Sequence, residues 1–237
     1  MITLYSFPPL GNLPSLSPFC FKLETYLKLA GLDYKTVYPG MPGKAPKGKL
    51  PYIEQNGRAI ADSGFIIDHL EAARGGGLDA GMSETERAVA HAFRRLFEEN
   101  LYWCLVYARW LDEANWPQAK RALFGKAPLP IKLIGRPLAR RAVRKEIMGH
   151  GMGRHSRDEI YAIALADLKA ASAFLAGKPY FMGDKPRTID ATAHAFLTAF
   201  LFAEGSFPIR AEMDRLTNLK AYCERMHRQA FGKPPVG

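Results

Sequence analysis

Gly75-Gly76-Gly77 divides this chain into two parts with different hydrophobic periodicities. Before it, short apolar runs alternate between strand-like and helix-like spacing. Ile2 to Phe7 alternates as a strand and stops at Pro8-Pro9, and Ser17 to Ala30 reads as a helix with Pro18 at its first position and Gly31 at its end. Asp33 to Tyr38 is a second strand, and Pro39 to Gly48 is too rich in Pro, Gly and Lys to be a helix. Pro51 to Gln55 and Arg58 to Ala61 form a hairpin across Asn56-Gly57, followed by a helix from Ser63 to Ala73. Residues 75–82 read as a flexible linker.

After the linker every apolar run has helical spacing. Ser83 caps a long helix through Val89, Phe93, Leu96, Leu101, Cys104 and Leu111 to about Glu113. Ser156-Arg157-Asp158-Glu159 is a capping box opening a helix to about Leu175. Arg187 or Thr188 starts a very apolar helix through Phe202, and Ala211 to Arg228 makes a last one. The expected architecture is a small α/β domain over 1–75 and an all-helical domain over 83–237.

Composition narrows the class. A length of 237 residues with 48% hydrophobic and 24% charged residues is ordinary for a globular protein with a sizeable core. Cys20, Cys104 and Cys223 are too few and scattered for a disulfide framework, which suits a reducing compartment and a cytoplasmic location. Met1-Ile2-Thr3-Leu4-Tyr5 lacks the basic start of a signal peptide, and Ala191 to Ala203 is too short and too polar at Thr192, His194 and Thr198 to span a membrane. The net charge of +10 sits wholly in 115–157, where eleven cations accompany the single acid Glu146. Such a segment suits nucleic acid, anionic lipid or an acidic ligand, or is a solvated face. Trp116, Phe124 and Tyr161 are too sparse for a base-stacking platform, so nucleic acid is not expected.

Three short motifs carry chemistry. Ser17-Pro18-Phe19-Cys20 places a hydroxyl at a helix N-terminus, where the dipole and open amides favour a thiolate. Ser17 there either activates a thiol or merely caps its helix. Cys20 is the alternative reactive group, or a small core residue; with Ser17 it cannot close a disulfide. Leu50-Pro51 opens a strand, and Ala61-Asp62-Ser63 opens a helix whose amides and Ser63 hydroxyl suit a carboxylate.

In this order and spacing, these motifs resemble the glutathione transferase superfamily. Ser-Pro-Phe-Cys-x-Lys-Leu-Glu-Thr-Tyr-Leu over 17–27 and Gly151-Met152-Gly153-Arg154-His155-Ser156 are similar to the branch of the failed-axon-connections proteins and metaxins. The resemblance implies a thioredoxin-like N-terminal domain with its second helix lost to the 39–48 loop, then an all-α C-terminal domain. It also implies glutathione as co-substrate, a small electrophile as substrate, a detoxifying activity and a homodimer. Ser17 would activate the thiol, and a cis Pro51 would free the Leu50 backbone for the cysteinyl part. Asp62 would meet the γ-glutamyl amine and Ser63 its carboxylate, while Lys49 would reach the glycyl carboxylate. Trp103, Tyr107 and Trp110 share one helix face and would line the electrophile pocket, or else pack in a core or dimer contact. The same likeness admits a non-catalytic, metaxin-like adaptor that binds a protein or membrane surface; no C-terminal hydrophobic anchor is visible in the sequence.

The remaining signals are weaker. Gly149-x-Gly151-x-Gly153 follows no strand and is not read as a dinucleotide site, and Cys223 with His227 has no converging ligands, so no metal is expected. Asp190 resembles the buried aspartate of the transferase helical domain; Arg187 stands at the usual cap, so Thr188 is expected to take it over. Ile131, Leu133, Ile134, Leu138, Val143, Ile147 and Met148 are expected to pack as an amphipathic helix over the cleft, with the surrounding cations at its mouth.

Overall fold

A computed structural model describes all residues except 12, 40–42, 44, 126–127 and 236–237. Part of the 39–48 loop therefore lies outside the described residues. Four strands, β1 (Ile2–Tyr5), β2 (Tyr34–Val37), β3 (Tyr52–Gln55) and β4 (Arg58–Ala61), form one sheet in the order β2-β1-β3-β4. β1 runs parallel to β2 and antiparallel to β3, with Leu4 opposite Ile53; β3 and β4 are antiparallel. Asn56 and Gly57 both have positive φ, at 51° and 75°, the backbone a two-residue primed turn demands.

Helix α1 (Pro18–Leu29) and α2 (Ser63–Ala72) cover one face of the sheet. Leu23, Tyr26 and Leu27 of α1 meet Leu4, Ile53, Ile66 and Leu70 in the core of this domain. Gly31, at φ 62°, ends α1, and Leu32 N–H reaches back to Leu27 O at 2.9 Å. The other face of α1 is equally apolar. Phe21 there joins the larger core of the helical domain, so α1 is wedged between the two domains.

That helical domain contains α3 (Glu84–Arg95), α4 (Tyr102–Trp110), α5 (Trp116–Phe124), α6 (Arg136–His150), α7 (Arg157–Leu175), α8 (Thr188–Leu201), α9 (Arg210–Arg215) and α10 (Thr217–Phe231). α3 and α4 are one rod interrupted by a π-helical stretch, Leu96–Leu101, a distortion common at functional sites. Ser83 and Ser156 form the expected capping boxes with Glu86 and Glu159. α8 is buried along almost its whole length and packs on α1 and α10. Where one helix was expected over 211–228, the chain breaks at Leu216. Asn218 beyond the break gives its side-chain amide to the Ser172 and Ala176 carbonyls at the end of α7.

Asp190 is buried at the start of α8. Its carboxylate accepts from Phe181 N–H, Arg187 N–H and the Tyr222 hydroxyl at 2.9, 2.8 and 2.9 Å. Thr188 does not cap the helix. Its hydroxyl donates instead to Asp79 in the linker at 2.6 Å, and Arg187 Nη1 bonds the Leu78 and Ala80 carbonyls. Linker and helical domain are thereby fastened together.

A chain of buried polar groups crosses the domain boundary. Thr25 Oγ1 lies 3.1 Å from His194 Nδ1, and His194 Nε2 lies 3.3 Å from His227 Nδ1, among the rings of Phe21 and Phe231. Burial pushes His194 well below the ordinary range and His227 down to about 4. Both are neutral when folded, so protons taken up by the unfolded chain destabilise the fold as pH drops from about 6.5 towards 4. Asp190, pushed up to about 6 by burial, works in the opposite direction over the same window. His227→Gln therefore isolates one contribution. Its loss of stability between pH 7 and 4.5 should be smaller than the wild type's by about 2 kcal/mol in urea titrations. Parallel losses would show that His227 titrates freely in the fold.

Candidate functional site

The segment between β1 and α1 is held in a tight fold by its own polar groups. Ser15 Oγ donates to Phe7 O at 3.0 Å, Leu16 N–H to Pro8 O at 3.1 Å, and Arg109 Nη1 from α4 to Leu16 O at 3.0 Å. This delivers Ser17 to the N-terminus of α1 in an extended conformation, φ −92° and ψ 125°. Its side chain makes no capping hydrogen bond there. Ser17 is the N-cap residue by position, its carbonyl accepting Phe21 N–H at 3.0 Å, while its hydroxyl is not used as a cap.

Cys20, one turn along, is fully buried. Burial raises its thiol pKa, against smaller support for the thiolate from Phe7 and the hydroxyls of Ser6, Ser17 and Ser15. A buried thiol held in its neutral form is a poor nucleophile.

Ser17 opens onto a cleft of about 470 Å³ between the domains. The Leu50–Pro51 peptide, which is cis, forms one wall, and Lys47 and Lys49 lie beside it. Asp62 and Ser63 lie at the head of α2. Asp62, at φ 79°, is the N-cap; its Oδ1 accepts Gly64 N–H at 2.8 Å and Phe65 N–H at 3.4 Å. A non-glycine residue in that backbone region is strained and typical of binding sites. Ser63 is the first helical residue, and its Oγ accepts a hydrogen bond from Lys22 Nζ at 3.2 Å, leaving its own proton available to an anion.

Lys22 was not visible as a site residue in the sequence. It belongs to α1, is fully buried, and pairs with Glu98 Oε1 at 2.6 Å. Burial lowers its pKa, while the Glu98 and Asp62 carboxylates oppose that fall. Glu98 comes from the π-helical stretch and lines the cleft with Glu99, Arg95 and Tyr102. A lysine inside the apolar run Phe19-Cys20-Phe21-Lys22-Leu23 was the available signal.

The expected aromatic face divides. Trp103 lines the cleft and stacks on His150 at 4.6 Å. Tyr107 instead meets Tyr161 edge-on, and Trp110 stacks on Trp116 with centroids 6.0 Å apart. Seven residues of helix carry Trp110 about 10 Å along the axis from Trp103, so α4 leaves the cleft after its first turn. The basic segment also departs from expectation. Among its described residues, the one that lines the cleft is the acid Glu146. Ile147 is buried, but Ile131, Leu133, Ile134, Leu138 and Met148 are exposed rather than packed over the cleft. A second, smaller cavity of about 220 Å³ lies across the β1–α1 segment, lined by Leu13, Leu105, Arg109, Leu123 and Phe202.

Comparison with known proteins decides the family. Residues 18–115 match the glutathione S-transferase N-terminal domain, and residues 164–226 the glutathione S-transferase C-terminal domain. The chain is 34% identical to the isoprene-epoxide–glutathione S-transferase of Rhodococcus sp. (strain AD45), over 97% of its length and 99% of that protein. It belongs to the glutathione S-transferase superfamily. Within the superfamily it is similar to the branch of Failed axon connections from Drosophila melanogaster, 35% identical over 98% of this chain and 58% of that protein. The chain thus spans little more than half of that relative. Metaxin-1 of Macaca fascicularis is 30% identical over 90% of this chain and 69% of its own. A solved glutathione transferase from Phanerochaete chrysosporium shares the fold, with a TM-score of 0.67 at 19% identity over 97% of both chains.

Proposed function

We propose that this superfamily member is a glutathione-dependent transferase that activates the glutathione thiol for attack on a small electrophile. The observation that carries the reading is the Ser17 hydroxyl, which makes no capping hydrogen bond, at a helix N-terminus on the cleft. The γ-glutamyl carboxylate is placed against the Ser63 hydroxyl and the N-terminus of α2, where the helix dipole favours an anion. Asp62 keeps Oδ2 for the neighbouring ammonium, since Oδ1 takes both backbone N–H groups. Leu50 offers its backbone to the cysteinyl residue, and Lys49 faces the glycyl carboxylate.

With the peptide so held, the thiol lies at Ser17. The hydroxyl donates to sulfur and stabilises the thiolate as its proton leaves to solvent. The sulfur pair then forms a bond to the electrophilic carbon, whose leaving group or opening ring oxygen takes the electrons and a proton. Phe7, Phe19, Tyr102 and Trp103 supply an apolar side to the same cleft. A small epoxide is the first electrophile to test, because the Rhodococcus relative is named for one. Calorimetric titration with glutathione and with S-methylglutathione tests the reading: both should bind in this cleft. Absence of binding to either would overturn it. Binding of glutathione without turnover on a panel of epoxides and halides would support an adaptor instead, a reading favoured by the exposed apolar residues over 129–138.

A further inference from the structure

The sharpest mismatch between side-chain chemistry and surroundings lies away from the cleft, on the stretch leading into α6. Leu133, Ile134 and Leu138 are 63%, 64% and 60% exposed, with Leu129 and Ile131 exposed beside them. Single exposed leucines are ordinary, but five large aliphatics within ten residues make a patch. It includes half of the large exposed hydrophobic residues described in this chain.

α6 is held so that Leu138, its own part of the patch, faces outward. Its inner face carries Arg140, Val143, Ile147 and His150. Arg140 donates to Trp110 O at 2.9 Å and to Glu113 at 2.7 Å, and stacks over Trp116 at 4.5 Å. Ile147 is buried and His150 stacks on Trp103. Helical spacing puts Leu138, Arg141 and Lys145 on the opposite side. Lys132 and Arg136 lie among the aliphatics and Arg141, Arg144 and Lys145 follow Leu138 within two turns; among the described residues none of the five makes an ion pair.

We propose that residues 129–145 form a docking surface for an anionic lipid bilayer. The aliphatics require an apolar phase, and the interspersed cations require anions at its edge; the headgroup boundary of an anionic leaflet offers both together. Long Lys and Arg stems let the charges reach phosphates while the aliphatics sit deeper. A second copy of the chain fits less well, because an isologous pairing of this face sets its cations against each other. No helix among the described residues is long and apolar enough to cross a membrane, so the contact is interfacial. Glu146, which lines the cleft, lies on a different face of α6, so docking leaves the cleft accessible.

Co-sedimentation of the full chain with vesicles is the test. Vesicles of phosphatidylcholine with phosphatidylglycerol should bind at least about tenfold more tightly than phosphatidylcholine alone, with the preference shrinking at high salt. Leu133→Gln, Ile134→Gln and Leu138→Gln together should weaken binding about tenfold or more. Their exposure means the thermal midpoint should hold, which is checked in the same samples. Arg141→Glu, Arg144→Glu and Lys145→Glu together should abolish the anionic preference. No binding by the wild type would overturn the proposal, as would full binding by the glutamine variant, which would mean adhesion by charge alone. A wild-type dimer that the glutamine variant converts to monomer would overturn it too, assigning the patch to self-association.

Discussion

Replacing Ser17 with alanine is expected to lower turnover with glutathione about 10²-fold, close to 3 kcal/mol of activation energy, while changing glutathione affinity by no more than about threefold. The asymmetry follows from where the hydroxyl acts. In the proposed binding mode the tripeptide is held by Leu50, Asp62, Ser63 and Lys49, whereas the Ser17 hydroxyl is worth most once the sulfur carries charge. Cys20→Ala should leave kcat nearly unchanged and cost about 1 to 2 kcal/mol of stability, since Cys20 is a buried, neutral core residue. Steady-state kinetics of both variants decide between them. A fully active Ser17→Ala beside a dead Cys20→Ala would move the chemistry to the thiol.

The largest effect on stability is expected at Lys22. Lys22→Met removes the close, buried partner of Glu98 and leaves its carboxylate, largely buried between α1 and the π-helical stretch, with only the half-exposed Arg95 Nη2 at 3.8 Å. Breaking a buried pair from one side costs about 3 to 5 kcal/mol, because the remaining charge keeps its desolvation penalty. Lys22→Met with Glu98→Leu together should recover most of that loss, since a well-packed apolar pair can match a buried ion pair. Urea unfolding of the single and double variants gives the coupling energy, expected above about 2 kcal/mol. Single variants within about 1 kcal/mol of wild type would mean that water reaches the pair from the cleft. The double variant should also bind glutathione more weakly, because Ser63 loses the Lys22 hydrogen bond that orients its hydroxyl.

The features legible in the sequence are those fixed by local chemistry. Gly31 ends α1, Asn56-Gly57 makes the hairpin, and Ser83 and Ser156 cap their helices, because each turn or cap demands a particular backbone or side-chain oxygen. The placement of Ser17, Pro51 and Ser63 around one cleft follows from the order of elements and their motifs. What escaped depended on contacts between distant segments. Glu98 is 76 positions from Lys22, and nothing local distinguishes it from a solvated glutamate. Tyr107 and Trp110 share a helical face with Trp103, but periodicity does not say how far along its axis a helix borders a cleft. The aliphatics over 129–138 have the spacing of a buried face, yet the inward side of α6 is set by the Arg140 clasp on Trp110, Glu113 and Trp116. That Asp62 rather than Ser63 caps α2 goes with the positive φ of Asp62, which residue type alone does not reveal.

In the proposed function this cleft holds glutathione with its sulfur as a thiolate beside Ser17. Ultraviolet difference titration of bound glutathione measures that directly, through the absorbance of the thiolate as pH rises. A free thiol ionises near 8.5. In the wild-type complex the transition should fall to about 7 or below, as at other thiols held at a helix N-terminus. In the Ser17→Ala complex it should return towards the free value while binding persists. A bound thiol that ionises near 8.5 in both proteins would rule out activation by Ser17.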